Sequence, residues 1–467
     1  MNANGRNKYD SAFICRCLHY LAVLIVGLSC IGCVSGYERR LTDIRRDYYD
    51  LRDVEMAKKD IETFQKWAPQ KEQDVLSLNQ ACLELYSGDA ANAKKELVQA
   101  RDSFDSIEQK RIQQSAENLI SYWTDDNFNS YEGDDYEKVL VRAMLAIADL
   151  FDGGEDAKAY AYQIAAKQDE IVQNGFIDDP MHEGKKVNPK RNYPRVPLGP
   201  YLEGLLWEET YLNSSDAARC YEKVVKWQPN FKQGKNDLIR AQTSVHSQPG
   251  AGRVYVFAFV GRGPHKEQVY EEATQGALLI ADRIFSATNQ YSVPPTIAPV
   301  PIPALIIEES YVSNVAVEMD GERQMATETI ADVNEMAINQ YEAIKDQILA
   351  RAIVRRVVKK GTLYAAKQVA EVNDWVSLAM DLGGIVWEAT ETADVRCWGL
   401  LPAKIQVASF EAPVGKHSIT LYPTDVSGNK IGAPLSATVS VNANRNTYLL
   451  VNYPDENPIG KAVVSER

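Results

Sequence analysis

TADVRCWGLLPAKIQVA, residues 392–408, is where a long helical pattern stops and a run of short strands begins. Within nine residues it holds an acid, Asp394, a base, Arg396, a large ring, Trp398, and a helix breaker, Pro402. Proline lacks an N–H and clashes with the preceding turn, so no helix continues through it. A tryptophan brings roughly 150–250 Å² of surface to bury. We read the stretch as a structural junction between a helical part and a β part, not as an active site. Asp394 and Arg396 stand two residues apart, and each is expected to find its partner elsewhere.

Downstream of the junction the pattern alternates. Residues 405–408, 417–422, 436–441 and 448–451 read as strands, with turn chemistry at Pro413-Val414-Gly415, Ser427-Gly428-Asn429 and 442–446. Four short antiparallel strands suggest a small β-sandwich-like module, and the residues after Pro454 a frayed tail. Upstream, Ile330, Val333, Ala337, Tyr341, Ile344 and Ile348 recur at three- and four-residue steps, the mark of an amphipathic helix. Arg351, Arg355, Arg356, Lys359 and Lys360 make a dense basic cluster at its end. It reads as a solvated helix end near the negative pole of the macrodipole, or as a surface for anionic lipid or polymer. Gly361 is expected to break or kink this helix, and a second one to run over 362–391 through the apolar stretch 376–387.

The first half of the chain is helical. In 76–104, Ala81, Gly88, Ala93, Leu97 and Ala100 stand where a tetratricopeptide repeat places its small residues, its turn and its packing positions. Gly88-Asp89 turns the chain, and the small alanines let two antiparallel helices approach. A degenerate second copy spans 136–171, with Gly153-Gly154 at the turn and Ala159 and Ala166 in its Ala-rich helix. A third follows with Tyr201, Leu205, Ala217, Tyr221, Val224 and the closing Pro229. An ordinary Ala-rich helical hairpin explains the first copy as well. Stacked hairpins bury a face that none buries alone and leave an open face for a partner. The loop 174–200 between the second and third copies is long enough to carry function.

At 247–253, SQPGAGR, the composition shifts, and VYVFAFV at 254–260 reads as a buried strand. It runs into GRGPHK. A strand, then glycines, then the helical pattern of 267–285 could cradle an anion with Arg262, His265 and Lys266, although a tight surface loop is the plainer reading, since no complete phosphate-loop motif is present. Residues 292–303 hold five prolines and must be extended; strands are expected around 304–307 and 314–319.

A chain of 467 residues exceeds one ordinary core. With 45% hydrophobic and 25% charged residues it is globular, and a net charge of −13 disfavours nucleic-acid binding. Arg6, Lys8 and Arg16 precede the uncharged apolar run 21–34, LAVLIVGLSCIGCV. That run falls short of the roughly 20 residues of a spanning helix and reads as a secretory signal. It resembles a bacterial lipoprotein signal, with Cys33 as the lipidated residue and Cys30 as second choice. Cys82, Cys220 and Cys397 are expected to be free and buried, with no spacing that suggests zinc. Asp178, Asp179, His182 and Glu183 are the nearest approach to a ligand cluster, and a polar loop explains them. No metal, cofactor or catalytic residue is expected: the chain has no GxSxG, HExxH or Walker motif.

The mature chain as a whole resembles a family of uncharacterised bacterial lipoproteins with tetratricopeptide-like helical repeats and a mixed α/β C-terminal half. The resemblance is carried by YEGDDYEKVLVRAMLAIADLF at 131–151, YLEGLLWE at 201–208, RVYVFAFVGRGPHKE at 253–267 and ADVRCWGLLPAKIQVA at 393–408. It implies a cell-envelope protein, associated with lipoproteins that activate penicillin-binding proteins and hence with peptidoglycan synthesis.

The expected class is therefore α+β and multidomain: N-terminal α-helical tetratricopeptide-like repeats, then a mixed α/β half ending in the antiparallel module. The boundaries fall at 1–33 for the signal and lipidation site, 34–245 for the repeats, 246–325 for a β-strand region with its Pro-rich loop, 326–395 for the long helices, 396–455 for the β module and 456–467 for a flexible tail. The expected function is that of a non-enzymatic, membrane-anchored scaffold facing the periplasm, with an envelope protein partner on its repeats. The alternative is a periplasmic binding or transfer protein for an anionic polymer or lipid.

Overall fold

The computed structural model describes residues 36–113, 130–178, 185–209, 213–288, 292–294, 297–369 and 392–465. The signal segment with Cys30 and Cys33, the residues Asp179, His182 and Glu183, and the apolar stretch 376–387 lie outside them. The chain divides into two compact units, Met1–Asp43 with Lys359–Thr392, and Ile44–Val358 with Ala393–Arg467. In the first, the described residues are the opening turns of one helix and the closing turns of another. The second carries everything else, and it is α+β.

The helices run α1 (Gly36–Tyr49), α2 (Val54–Gln65), α3 (Gln70–Ser87), α4 (Ala90–Gln113), α5 (Asp135–Phe151), α6 (Ala157–Gln173), α7 (Leu198–Glu208), α8 (Ser214–Trp227) and α9 (Lys232–Thr243). From α2 onward each packs on the next. The reasons are local. Gly88 closes α3 in the left-handed conformation, φ 87°, and its N–H caps the carbonyls of Glu84 and Leu85, a conformation that costs a residue without Cβ little. Ala81, Ala93, Leu97 and Ala100 are buried at the crossing it creates. Between α7 and α8, Gly204 lies so close to Tyr221 that a Cβ there would stand 2.7 Å from the ring. The second hairpin departs from expectation: Ala159 and Ala166 are exposed, and Ala157 and Ala161 make the buried contact instead. Stepping by four from Ala157 keeps one face of α6 on α5, and the other alanines fall on the opposite face.

The strands are β1 (Ile177–Asp178) and β2 (Lys186–Val187) inside the 174–200 loop, β3 (Ala251–Arg262), β4 (His265–Glu271), β5 (Val300–Ile306), β6 (Asn314–Met319), β7 (Glu322–Ala326), β8 (Glu328–Asp332), β9 (Pro402–Pro413), β10 (Gly415–Thr424), β11 (Leu435–Val441), β12 (Asn446–Tyr453) and β13 (Val463–Val464). A five-stranded sheet has the order β13-β12-β3-β9-β8 and a four-stranded one β11-β10-β6-β7. β12 pairs with β3 in parallel, Tyr448 opposite Tyr255, and the other pairings are antiparallel.

VYVFAFV decides the layering because it is buried on both faces, which is why it reads as a continuous apolar run. Val254, Val256, Ala258 and Val260 join Ala408, Val451, Val317, Ile419, Leu421 and Val439 between the two sheets. The alternate residues meet helices on the other side: Phe259 packs on Tyr86 with ring centroids 5.9 Å apart, and Phe151 of α5 meets Tyr448 at 6.5 Å. The unit is thus a helical layer, a five-stranded sheet and a four-stranded sheet. Strands from 251–332 and 402–464 are shared between both sheets, so the expected C-terminal sandwich draws four of its nine strands from upstream and is not wholly antiparallel. Four short strands would leave one face and two edges bare.

Four further expectations are corrected. The supposed helical pattern of 267–285 begins as β4, and the helix, α10 (Gln275–Thr288), starts later; β4 pairs with Pro-rich β5, whose Pro301 and Pro303 are tolerated because this ladder has only two strands. Ile330 belongs to β8, and the long helix α11 (Val333–Val369) runs through Gly361 without ending, since one glycine costs a long helix only about 1 kcal/mol. The residues after Pro454 are not frayed: Ile459 is buried, Lys461 N–H reaches Tyr86 O, and β13 pairs with β12. A third core, of Ala277, Ala281, Phe285, Ile302, Leu349 and Ile353, joins α10 and β5 to α11. Among the described residues no helix is long and apolar enough to cross a membrane.

Candidate functional site

The junction threads between the helical layer and β9. Trp398 is fully buried; its Nε1–H donates to Cys82 Sγ at 3.1 Å and its backbone N–H to Glu137 Oε1 at 2.8 Å. Leu400 N–H donates to Asn79 Oδ1 at 3.1 Å, Tyr86 OH to Leu400 O at 3.0 Å, and Arg396 Nη1 to Lys71 O at 2.7 Å. Asp394 and Arg396 do not seek separate partners: Arg396 Nε and Nη2 donate to Asp394 Oδ1 and Oδ2 at 2.9 and 2.7 Å. Outside a helix, residues two apart share a side. Burial would raise the Asp394 carboxyl, but the Arg396 guanidinium holds it below the ordinary carboxylate range. Pro402 opens β9.

The partners on the helical side, Asn79, Cys82 and Glu137, were missed by sequence reasoning. Glu137 did carry a signal. It lies three residues after Asp134, the spacing of a capping box, and its Oε2 accepts the Asp134 N–H at 2.9 Å. Cys82 and Cys220 are pushed up to about 12, and Cys397 to about 11, by burial. All three are free and buried, so as thiols they are poor nucleophiles.

The GRGPHK turn does not form the anion cradle that was the alternative to a tight loop. β4 follows it in place of a helix, and the Gly263 N–H is committed to Leu401 O at 2.8 Å. Arg262 stands 3.5 Å from Glu308, 3.6 Å from Asp455 and over the Tyr49 ring at 4.7 Å. His265 lies 3.4 Å from Arg45 and 3.7 Å from Glu308; burial, then the Arg45 charge, pull its pKa down. Lys266 reaches elsewhere, to Asp134 at 2.6 Å. Burial alone would lower it, but the Asp134 and Glu137 carboxylates carry it above the ordinary lysine range. The three side chains do not converge on one point.

Lys266 instead lines a cleft of about 540 Å³ bounded by the end of α4, residues 130–135, α5, β5, α11 and the Asp394–Arg396 pair. Its lining includes seven cations, Lys110, Lys138, Lys190, Lys266, Arg351, Arg355 and Arg396, against four carboxylates, Glu132, Asp134, Asp135 and Asp394. Three carboxylates are already bound by lining cations: Asp134 by Lys266, Asp135 by Lys190 at 2.6 Å, and Asp394 by Arg396 at 2.7 Å. Lys138 lies 3.9 Å from Glu108, just outside. In a chain of net charge −13, the described lining of this cleft thus holds more cations than carboxylates. The basic cluster at the end of the amphipathic pattern is thereby split. Arg351 and Arg355 line the cleft, whereas Arg356 donates to Ala298 O and Pro299 O at 2.7 and 2.9 Å; the side chains of Lys359 and Lys360 are outside the described residues.

A second concavity, of about 430 Å³, lies between α4, α5 and α6 and is lined by Arg101, Asp105, Arg142, Gln163, Ala166, Lys167 and Glu170 among others. Its charges are held in place: Arg142 Nη2 binds both Asp105 oxygens at 2.7 Å, and Lys167 binds Glu108 at 2.5 Å and Glu170 at 3.0 Å. Among the described residues no group of three or more His, Cys, Asp or Glu could hold a metal ion.

Fold and surface together define an α+β protein in which a run of helical hairpins is laid on a two-sheet β layer. No family model, curated protein or solved structure matches the chain.

Proposed function

We propose that this chain is a non-enzymatic interaction scaffold of the bacterial cell envelope, delivered by the 21–34 segment, anchored through lipidated Cys33 with Cys30 as second choice, and engaging a protein partner through tetratricopeptide-like hairpins. The observation that carries the partner reading is the outer face of α6. Ala159 and Ala166 are exposed there beside Tyr162, which is 66% exposed, and Ala166 edges the charged groove with Arg142 and Lys167. Small residues let a partner backbone approach, and an aromatic ring among prepositioned charges has the make-up of an interface anchor. The resemblance to envelope lipoproteins adds the link to peptidoglycan synthesis.

Affinity capture from envelope extracts with the parent chain and with Ala166→Arg tests it. A partner held by the parent and lost from a variant with unchanged melting is the expected result; equal capture by both sinks the docking face. The anchor is tested separately by mass spectrometry of the mature N-terminus from membranes, where unmodified Cys33 and Cys30 would remove it.

A further inference from the structure

The two large sheets end in four edge strands, β13, β8, β11 and β7, and three of these are blunted. The α8–α9 turn covers β8: Gln228 Nε2 donates to Thr329 O at 2.7 Å, and Glu328 Oε2 accepts the Lys232 and Gln233 N–H groups at 2.7 and 3.3 Å. β13 is two residues long. β7 carries Glu322 and Arg323, and its register on β6 shifts between Val317 and Glu318. Short strands, charges and bulges keep an edge from pairing with another chain. The fourth edge is different. β11, LSATVSV at 435–441, has no charge, no proline and no register shift.

Its backbone groups point out of the sheet. Ser418 of β10 donates its N–H to Asp320 Oδ1 and accepts the Asp320 N–H at its C=O, both at 2.9 Å, so it faces β6. Thr438 stands opposite Ser418, and opposed residues of an antiparallel pair either bond each other or both turn away. The N–H and C=O of Thr438 therefore face outward, and by the same alternation so do those of Ser436 and Ser440. The Ser440 C=O accepts from Thr447 Oγ1 at 3.2 Å. The outward groups of Ser436 and Thr438 have no partner among the described residues.

The edge is also complementary to itself. Reversed about Thr438, Leu435 meets Val441, Ser436 meets Ser440, Ala437 meets Val439 and Thr438 meets its own copy. Apolar residues then oppose apolar ones on the inner face, where Val439 and Val441 belong to the core and Leu435 and Ala437 pack against it. Hydroxyls oppose hydroxyls on the outer face, as Thr420 and Ser436 already do at 3.0 Å within the sheet. A strand meant for an unrelated peptide has no need of this symmetry. We propose that the chain forms a two-fold dimer in which β11 pairs antiparallel with β11 of a second copy, centred on Thr438. Thr438 exchanges N–H···O=C bonds with its own copy, and Ser436 does so with the other chain's Ser440. The pairing uses up the one open edge, so assembly stops at two. A contact one strand wide belongs with interfaces below about 1,200 Å², which are weak and reversible. The dimer goes beyond the scaffold reading and depends on neither the α6 face nor the Cys33 anchor.

Analytical ultracentrifugation of the purified full chain, in non-ionic detergent to mask the 21–34 segment, tests it over about a hundredfold range of concentration. The protein mass of the parent should rise from one chain of 52.2 kDa toward two, and the 435–441 amides should exchange hydrogen more slowly as it does. Thr438→Lys and Thr438→Glu each set like charges opposite one another across the two-fold axis; Thr438 is exposed, so neither should change the melting temperature. Each variant alone should dimerise at least tenfold more weakly than the parent, and the two mixed in equal amounts should recover the dimer. A parent that stays monomeric throughout would overturn the proposal. So would association unchanged in both variants, which places the contact elsewhere, a mixture no stronger than either variant alone, or exchange at 435–441 indifferent to concentration.

Discussion

Glu137 Oε1 accepts the backbone N–H of Trp398 at 2.8 Å across 261 residues of chain, and neither residue has exposed surface. The same carboxylate accepts from the Tyr131 hydroxyl and from the Asp134 N–H. One side chain therefore caps α5, holds residue 131 and ties the helical layer to the junction. Burial, and then the Asp134 charge, raise its pKa, so its contribution to stability falls as pH rises from the ordinary carboxylate range through the elevated folded value.

Replacing Glu137 by Gln keeps the shape but turns one acceptor into a donor. A glutamine that keeps the Trp398 contact aims its amide at the Asp134 N–H, leaving a donor facing a donor. An unsatisfied buried polar group costs about 1–3 kcal/mol. Glu137→Gln should therefore lose about that much in urea unfolding, and Glu137→Ala, which takes the acceptor from four donors, the Tyr136 hydroxyl included, more. Midpoints equal to that of the parent would remove Glu137 from the lock.

At Gly204 two effects oppose each other. Alanine is favoured over glycine inside a helix by about 1 kcal/mol, but its Cβ would lie 2.7 Å from the buried Tyr221 ring, and overpacking typically costs about 1–3 kcal/mol. The clash should win, because Tyr221 is itself held by Glu208 at 2.7 Å. Gly204→Ala is expected to destabilise modestly in chemical denaturation; stabilisation would mean that α7 and α8 part without cost.

Much of the fold was legible because its signals are local. Gly88 announces its own turn, and VYVFAFV announces a strand buried on both faces. What was illegible depends on residues far away in the chain. Nothing within 254–260 says that it pairs with 404–410 on one side and 447–453 on the other, or that Val463 will cover the edge of β12. The same reason hid the cleft: Arg351 reads as part of a basic helix end until α4, α5 and β5 are placed around it. Ile330 fits a helical period by chance, and Thr329 and Asp332 in the ladder with β9 claim that segment for the sheet. Of the three cations expected in the anion loop, only Lys266 lies where a ligand could meet others.

His417 and His246 should titrate in opposite directions. His417 Nδ1 faces Asp320 Oδ2 at 2.7 Å and Nε2 faces Pro413 O at 2.8 Å; two acceptors favour the doubly protonated ring, and the Asp320 contact is the larger cause of its raised pKa. The stability from this contact is fully present below the unfolded value, about 6.5, and is lost as pH rises through the higher folded value. Asp320 is lowered by the same contact, so its share is present above the ordinary carboxylate range and lost as pH falls through the lower folded value. His246 is pulled down to about 4 by burial. An NMR titration should place His417 above 6.5 and His246 far below it, and Asp320→Asn should bring His417 back toward its ordinary value. An unmoved His417 would mean that the clip between the β6–β7 and β9–β10 turns is absent in solution.

Trp398 gives the most direct test of the junction. Removing a buried ring of this size costs about 3–5 kcal/mol through lost transfer energy and the cavity left behind, and here the Cys82 contact at 3.1 Å goes with it. Trp398→Ala should lower the denaturation midpoint by that amount, and Trp398→Phe, which keeps most of the volume but not the indole N–H, by less. Chemistry at Cys82 gives a second readout. In the parent its thiol is buried and pushed up to about 12, so it should resist alkylation under native conditions. In Trp398→Ala the cavity opens beside the sulfur, and peptide mass mapping should find Cys82 modified ahead of Cys220. A variant that denatures like the parent and keeps Cys82 unmodified would reduce residues 393–401 to a linker and would leave the helical layer held to the sheet by its other contacts, Tyr86 on Phe259 and Phe151 on Tyr448 among them.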